Sequence, residues 1–234
     1  MACKGPCCAH CGQQCIANVS MLSGLSDEQQ ASIMMLAQHR DYKKGALLFS
    51  MDDVNNRILI LRYGKVKISR FTEGGDELVL DIISAGDILG EQTVFAGEPY
   101  HAQGLCLEDT GICSLSASAI AKLTQAHPEV GMRLLGSLGR KLRDAQRLME
   151  LLTLDSAQAR LCGFLLFRRE RMDNSLVALS REDIASSINL RRETVSRKLS
   201  ELNKEGIIEL KGYKHIRILD EARLFELFHQ PETA

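Results

Sequence analysis

From residue 41 to 118 the apolar residues come in short runs, RILILRYG, KVKISRFT and ELVLDII. Glycine-bearing turns separate them: Tyr63-Gly64, Glu73-Gly74-Gly75-Asp76, Ala85-Gly86-Asp87 and Ala96-Gly97-Glu98. Strands at this regular spacing predict an antiparallel sandwich or barrel. Upstream, residues 24–40 (GLSDEQQASIMMLAQHR) predict a helix, with Ser26 as N-cap ahead of Asp27 and Glu28. Downstream the period changes. Pro128 suits the first turn of a long helix that runs into the 150s, weakened early by Gly131, Gly136 and Gly139. Its residues Leu135, Leu138, Leu142, Ala145, Met149 and Leu152 fall at spacings of 3, 4, 3, 4 and 3, an a/d seam. Leu134, Leu148 and Leu151 widen the stripe, so the helix can also lie on its own domain's core; the heptad rule favours a dimer seam. Residues 156–179 predict a further helix (SAQARLCGFLLFRRE) and a short polar connection, with Cys162 as a buried structural thiol.

The stretch SREDIASSINLRRETVSRKLSELNKEGIIELKGYKHIRIL has a different texture. Ser180 with Asp183 forms a capping box that opens a short helix, DIASSI. Asn189-Leu190 is a turn, and a second helix follows with Val195, Leu199 and Leu202 on its buried side. Arg192, Glu193, Ser196 and Arg197 face out. Gly206 ends that helix, and IIEL–KGYK–HIRI reads as a hairpin wing. Two short helices with a tight turn form a helix-turn-helix whose second helix can enter the major groove. The outward residues have the chemistry for reading bases. Arginine can donate two bonds to guanine O6 and N7, and glutamate can accept from cytosine N4. The competing reading is a solvated face held by i,i+4 ion pairs such as Glu193–Arg197.

Composition narrows the picture. A chain of 234 residues, 45% hydrophobic, can bury a real core in one or two domains. No run approaches the roughly 20 apolar residues of a membrane span, and the N-terminus has no apolar signal region, so a cytoplasmic protein without a membrane partner is expected. The net charge of −1 argues against wholesale nucleic-acid binding, but residues 156–234 carry 14 Lys/Arg against 12 Asp/Glu, which permits a DNA-binding end. Five of the eight cysteines, Cys3, Cys7, Cys8, Cys11 and Cys15, crowd into the first fifteen residues. Where thiols stay reduced, such a cluster reads as metal-binding or redox-active. Cys3, Cys7, Cys11 and Cys15 lie four apart and would share one face of a helical arm. Zinc, with His10 as a substitute ligand, and a thiol switch through Cys7-Cys8 are open readings. No substrate-pocket motif or catalytic constellation is present, so the chain is not expected to be an enzyme.

The glycine-punctuated roll, the heptad helix and the winged helix carrying R-E-T-V-S-R together resemble the CRP/FNR family of dimeric bacterial transcription regulators, over nearly the whole chain. The resemblance implies an α+β fold: an N-terminal cyclic-nucleotide-binding-like β-roll (jelly-roll), a long dimerisation helix and a C-terminal winged helix-turn-helix. It implies an arm over residues 1–20, the roll over 21–126, the dimerisation helix over 127–154 and the DNA-binding domain over 155–234. Glu193, Ser196 and Arg197 are similar to the recognition helix of the FNR branch, whereas Arg192 matches the cyclic-AMP-responsive branch. FNR-type sensors hold an oxygen-labile [4Fe–4S] cluster with three N-terminal cysteines and one from the roll. Here Cys8-x2-Cys11-x3-Cys15 looks like the N-terminal set, and Cys113, in CLEDTGICSL, matches the fourth position. The family's usual spacing between its second and third ligands is five residues; here it is three, so Cys3 and Cys7 stand as alternates, as does Cys106 in the roll.

The motif GDILGE, including Glu91, resembles the start of the family's phosphate cassette, but Glu98-Pro99-Tyr100-His101-Ala102 follows where cyclic-AMP binders carry an Arg-Ser pair. Loss of that arginine removes the bidentate phosphate donor and argues against cyclic nucleotide. The seam position at which FNR-type sensors carry an acidic residue is matched by Ala145. The resemblance also implies a palindromic double-stranded DNA site and contact with RNA polymerase. The alternative is a CRP-like regulator with a thiol-redox switch, a zinc site or a small-molecule effector in the roll.

Overall fold

The computed structural model describes residues 36–172, 176–212 and 214–229, together with Ser26 and Ile33. They fall into two compact units that divide between Arg140 and Lys141. Among the described residues no helix is long and apolar enough to cross a membrane.

Among the described residues the first unit holds eight strands: β1 (Gln38–Tyr42), β2 (Leu47–Phe49), β3 (Arg57–Tyr63), β4 (Lys65–Phe71), β5 (Glu77–Ser84), β6 (Ile88–Leu89), β7 (Gln103–Cys106) and β8 (Thr110–Ser116). They pair antiparallel in two sheets, ordered β1-β8-β3-β6 and β2-β7-β4-β5. The β3–β4 turn depends on Gly64, at φ 94, where a Cβ would lie 2.5 Å from Thr110 Oγ1. Between the sheets, Phe49, Leu59, Leu61, Val66, Ile83, Tyr100, Cys106 and Ile112 form the roll's interior. The alternate residues of β3 and β8, Ile58, Ile60, Cys113 and Leu115, face the other way. There they join Ile33 and residues of two helices, α2 (Ala117–Ala126) and α3 (Pro128–Leu152); a short α1 spans Glu91–Phe95.

The helix expected over 24–40 stops early. Ile33 and Leu36 are helical, but Gln38, His39 and Arg40 are strand, paired with Ser114, Cys113 and Ile112 of β8. The partner strand lies about seventy residues away, so pairing at the sheet edge overrides the local helical preference of AQHR.

The second unit contains α4 (Ala157–Met172), β9 (Leu176–Ala178), α5 (Arg181–Ser187), α6 (Arg192–Lys204), β10 (Ile208–Lys211), β11 (His215–Ile218) and α7 (Glu221–His229). Its sheet has the order β10-β11-β9. The last residues of α3 belong to this unit and pack on α4: Leu151 is buried, Arg147 pairs with Glu170, and Asp144 pairs with Arg171 (3.4 Å). The guanidinium groups of Arg147 and Arg171 sit over the Phe167 ring at 5.8 and 5.9 Å. The described residues thus form a roll followed by helices and a C-terminal helix-turn-helix.

Candidate DNA interface and metal-ligand face

The helix-turn-helix is assembled from local signals. Ser180 Oγ accepts from the Asp183 backbone N–H (3.0 Å) and donates to the Asp183 carboxylate, which starts α5. Ile184, Ala185 and Ile188 bury its inner side. Asn189 takes the left-handed conformation, φ 51, which asparagine tolerates better than branched residues do. The Leu190 N–H returns to Ala185 O (3.0 Å), and α6 begins two residues later. Val195, Leu199 and Leu202 are fully buried beneath α6. Gly206, at φ 73, turns the chain into β10, where Asn203 Oδ1 accepts from the Leu210 N–H (2.9 Å).

Arg192, Glu193 and Arg197 are exposed on the opposite side of α6, and Ser196 is half-buried beside them. Arg192 Nε lies 3.7 Å from Glu182, at the long end of an ion pair. The Glu193–Arg197 pair of the competing reading does not form: among the described residues neither side chain has a hydrogen-bond or ion-pair partner. Two side chains that sequence reading missed fix this helix. Arg160 of α4 donates Nε to Leu154 O (2.7 Å) and Nη1 to both Ile188 O and Asn189 O (3.3 Å each), holding the turn. Lys198 Nζ donates to Gln158 Oε1 (3.2 Å) and pairs with Glu201 (3.0 Å). Their targets are backbone carbonyls and a side chain about forty residues away, and no sequence periodicity reports such partners.

The six residues of the expected seam all fall within α3. Leu135, Leu142, Ala145 and Met149 are exposed; Leu138 and Leu152 are half-buried. Leu134 and Leu151 are buried, so the wider stripe serves the chain's own packing.

The cysteines are sorted by strand parity. Cys113 points to the outer face of the β1-β8-β3-β6 sheet, within the apolar cluster that includes Ile33. Directly opposite in the β1–β8 register is His39, whose Nδ1 is 3.0 Å from Cys113 Sγ. Cys106 points into the roll's interior, where burial raises its thiol pKa above the usual value. Cys162 is buried in α4, its thiol pushed up to about 12 by burial. Cys3, Cys7, Cys8, Cys11 and Cys15 lie outside the described residues. Among the described residues no three His, Cys, Asp or Glu side chains are grouped to hold a metal. The Cys113 thiol is a soft donor that fits a thiophilic metal such as iron or zinc, and it shares its face with Ile33.

In the phosphate-cassette region Glu91 is buried at the start of α1. Tyr100 stacks on Phe49 inside the roll, with ring centroids 3.9 Å apart, and burial pushes its phenol up to about 12. His101 is exposed and lies 3.1 Å from Glu98.

A jelly roll followed by a long helix and a winged helix with an outward Glu/Arg face defines a DNA-binding regulator. Residues 159–227 match the Crp-like helix-turn-helix domain, and residues 39–127 match the cyclic nucleotide-binding domain. The chain is 30% identical over 208 residues to the probable transcriptional regulator flp of Lacticaseibacillus casei, covering 88% of this chain and 94% of that one. It is 28% identical to the cyclic AMP receptor protein of Thermus thermophilus (88% and 95% covered) and 26% identical to the fumarate and nitrate reduction regulatory protein of Vibrio cholerae (96% and 92%). The chain belongs to the CRP/FNR family of DNA-binding transcription regulators.

Proposed function

We propose that this regulator is switched by a [4Fe–4S] cluster held by Cys8, Cys11 and Cys15 of the arm and Cys113 of β8. The observation that carries the reading is the direction of Cys113. Neighbouring strand residues point to opposite faces, so Cys113 shares the outer face with Ile33, while Cys106 is enclosed between the sheets. This favours Cys113 over Cys106, with Cys3 and Cys7 as alternates in the arm. Four thiolates are what a cubane takes. When bound, such a cluster supplies an oxidisable centre that ties arm to roll. The chain's own residues then divide the work among the arm (1–20), the roll (21–126), the dimerisation helix (127–154) and the DNA-binding domain (155–234).

At the DNA, Arg197 donates to guanine, Glu193 accepts from cytosine, and Ser196 and Arg192 reach base edges or phosphate. Two copies joined along α3 address a palindrome whose half-site centres are about one helical turn apart. RNA polymerase is the partner on which such a regulator acts. The roll is not read by cyclic nucleotide: the cassette offers a buried, stacked Tyr100 and an exposed His101, neither of which replaces a bidentate guanidinium. Identity of 26 to 28% to relatives named for each branch does not choose between them; the cysteines and the cassette support the FNR-type reading.

The test is iron and acid-labile sulfide content with a visible spectrum of anaerobically purified protein. About four of each per chain are expected. Cys113→Ser should abolish them and Cys162→Ser should not. Stoichiometric zinc after iron-replete, anaerobic expression overturns the reading.

A further inference from the structure

We infer that His39 is a positioning residue for the roll ligand: its imidazole donates a hydrogen bond to the Cys113 thiolate and sets how firmly that sulfur holds its metal. The inference rests on the cluster reading above. The β1–β8 register makes His39 and Cys113 direct antiparallel partners, and Nδ1 lies 3.0 Å from Sγ. Cys113 is buried in a cluster that is otherwise hydrocarbon, including Ile58, Ile60, Leu115 and Ile120. An anionic sulfur on such a face is costly unless it is paired or hydrogen-bonded. A metal-bound thiolate carries no hydrogen, so the hydrogen shared by the two atoms sits on Nδ1. Hydrogen bonds to ligand sulfur tune the potential of iron–sulfur centres, and outer partners orient the ligand they touch.

The edge-strand position does not by itself require a histidine. His39 is exposed on an edge strand whose residues Gln38 to Asp41 are all exposed, so its ring adds little to either core. Strand pairing does not call for one either, since it uses the backbone. What the position offers is a ring nitrogen level with the Cys113 sulfur.

The experiment compares full-length, anaerobically purified wild type, His39→Leu and His39→Asn. Each is measured for iron and sulfide, visible absorption, midpoint potential and cluster half-life under anaerobic challenge with EDTA. Leucine removes the donor; the asparagine amide reaches the place of Nδ1. His39→Leu is expected to keep its cluster but lose it to EDTA about tenfold faster, in line with the 10- to 100-fold cost of removing an outer partner. Its potential should fall and its charge-transfer band shift, while His39→Asn returns all three toward wild type. Unchanged thermal midpoints of the metal-free proteins show that the fold is not the cause. If His39→Leu retains wild-type potential and half-life, the role of His39 is overturned and the cluster reading stands. If wild type holds no iron, both fall. If folded His39→Leu holds no iron and asparagine does not restore it, the imidazole is itself a ligand and the inference is again overturned.

Discussion

Replacing Leu142 by alanine should weaken self-association while leaving each chain folded. Leu135 and Leu142 are each 61% exposed and Met149 58% exposed on the single chain, so the seam's apolar surface is not consumed by the chain's own core. Burying a leucine side chain completely is worth about 1.5–3 kcal/mol, so the exposed three-fifths of Leu142 holds about 1–2 kcal/mol in reserve. In a two-fold dimer both copies change together, which doubles the loss to about 2–4 kcal/mol. Alanine keeps Cβ, so the lower half applies, about 2–3 kcal/mol, or a rise in the dimer Kd of about 30- to 150-fold. Sedimentation equilibrium from nanomolar to micromolar concentration reads this directly. Arg143→Ala serves as control, because Arg143 is exposed one residue away but lies off the seam. An unchanged Kd for Leu142→Ala, or an equal loss for Arg143→Ala, would refute the seam.

Arg197→Ala should cost about 1–3 kcal/mol on the specific site and relax preference at one base pair, measured by binding to a panel of single-position variants; equal loss on random DNA would make Arg197 a phosphate contact. Arg160→Met should lower stability by about 1.5–3 kcal/mol, since it removes a charged donor from three carbonyls at the helix-turn-helix, read as a shift in the urea midpoint. A wild-type midpoint in that variant would mean that water serves those carbonyls equally well.

What could be read in the sequence was what local chemistry decides. The glycine turns marked the roll, Ser180 and Asp183 formed the cap they spell, and Val195, Leu199 and Leu202 went under α6 as their spacing requires. The misses are non-local or very short. β1 is a strand because β8 needs an edge partner, and β9 is three residues long, too short for alternation to show. α7 did carry a signal that went unread: Asp220 Oδ1 accepts from the Arg223 N–H (2.9 Å) as an N-cap would. Ser116 likewise caps α2 through the Ala119 N–H. The opposite orientation of Cys106 and Cys113 was invisible for a different reason. Both sit in short β-runs of similar composition, and only the pairing of β7 and β8 within opposite sheets reveals which faces outward.

If α3 forms the proposed seam, it also constrains how the proposed cluster can act on DNA. Two charged residues near it on the last turns of α3 are engaged sideways: Asp144 pairs with Arg171 and Arg147 with Glu170, both on α4. None of the six seam positions carries a carboxylate, and the one matched to the acidic residue of FNR-type sensors is Ala145. No like-charge repulsion or burial of charge then opposes pairing. The dimer should therefore persist when the cluster is lost, with control exerted as a population shift within a standing dimer rather than by assembly. Sedimentation of holo and air-exposed protein at low micromolar concentration tests this, and clean conversion to monomer on cluster loss refutes it. Ala145→Asp supplies the converse. It sets each new carboxylate against its twin across the two-fold, and it should split a dimer that air exposure leaves whole.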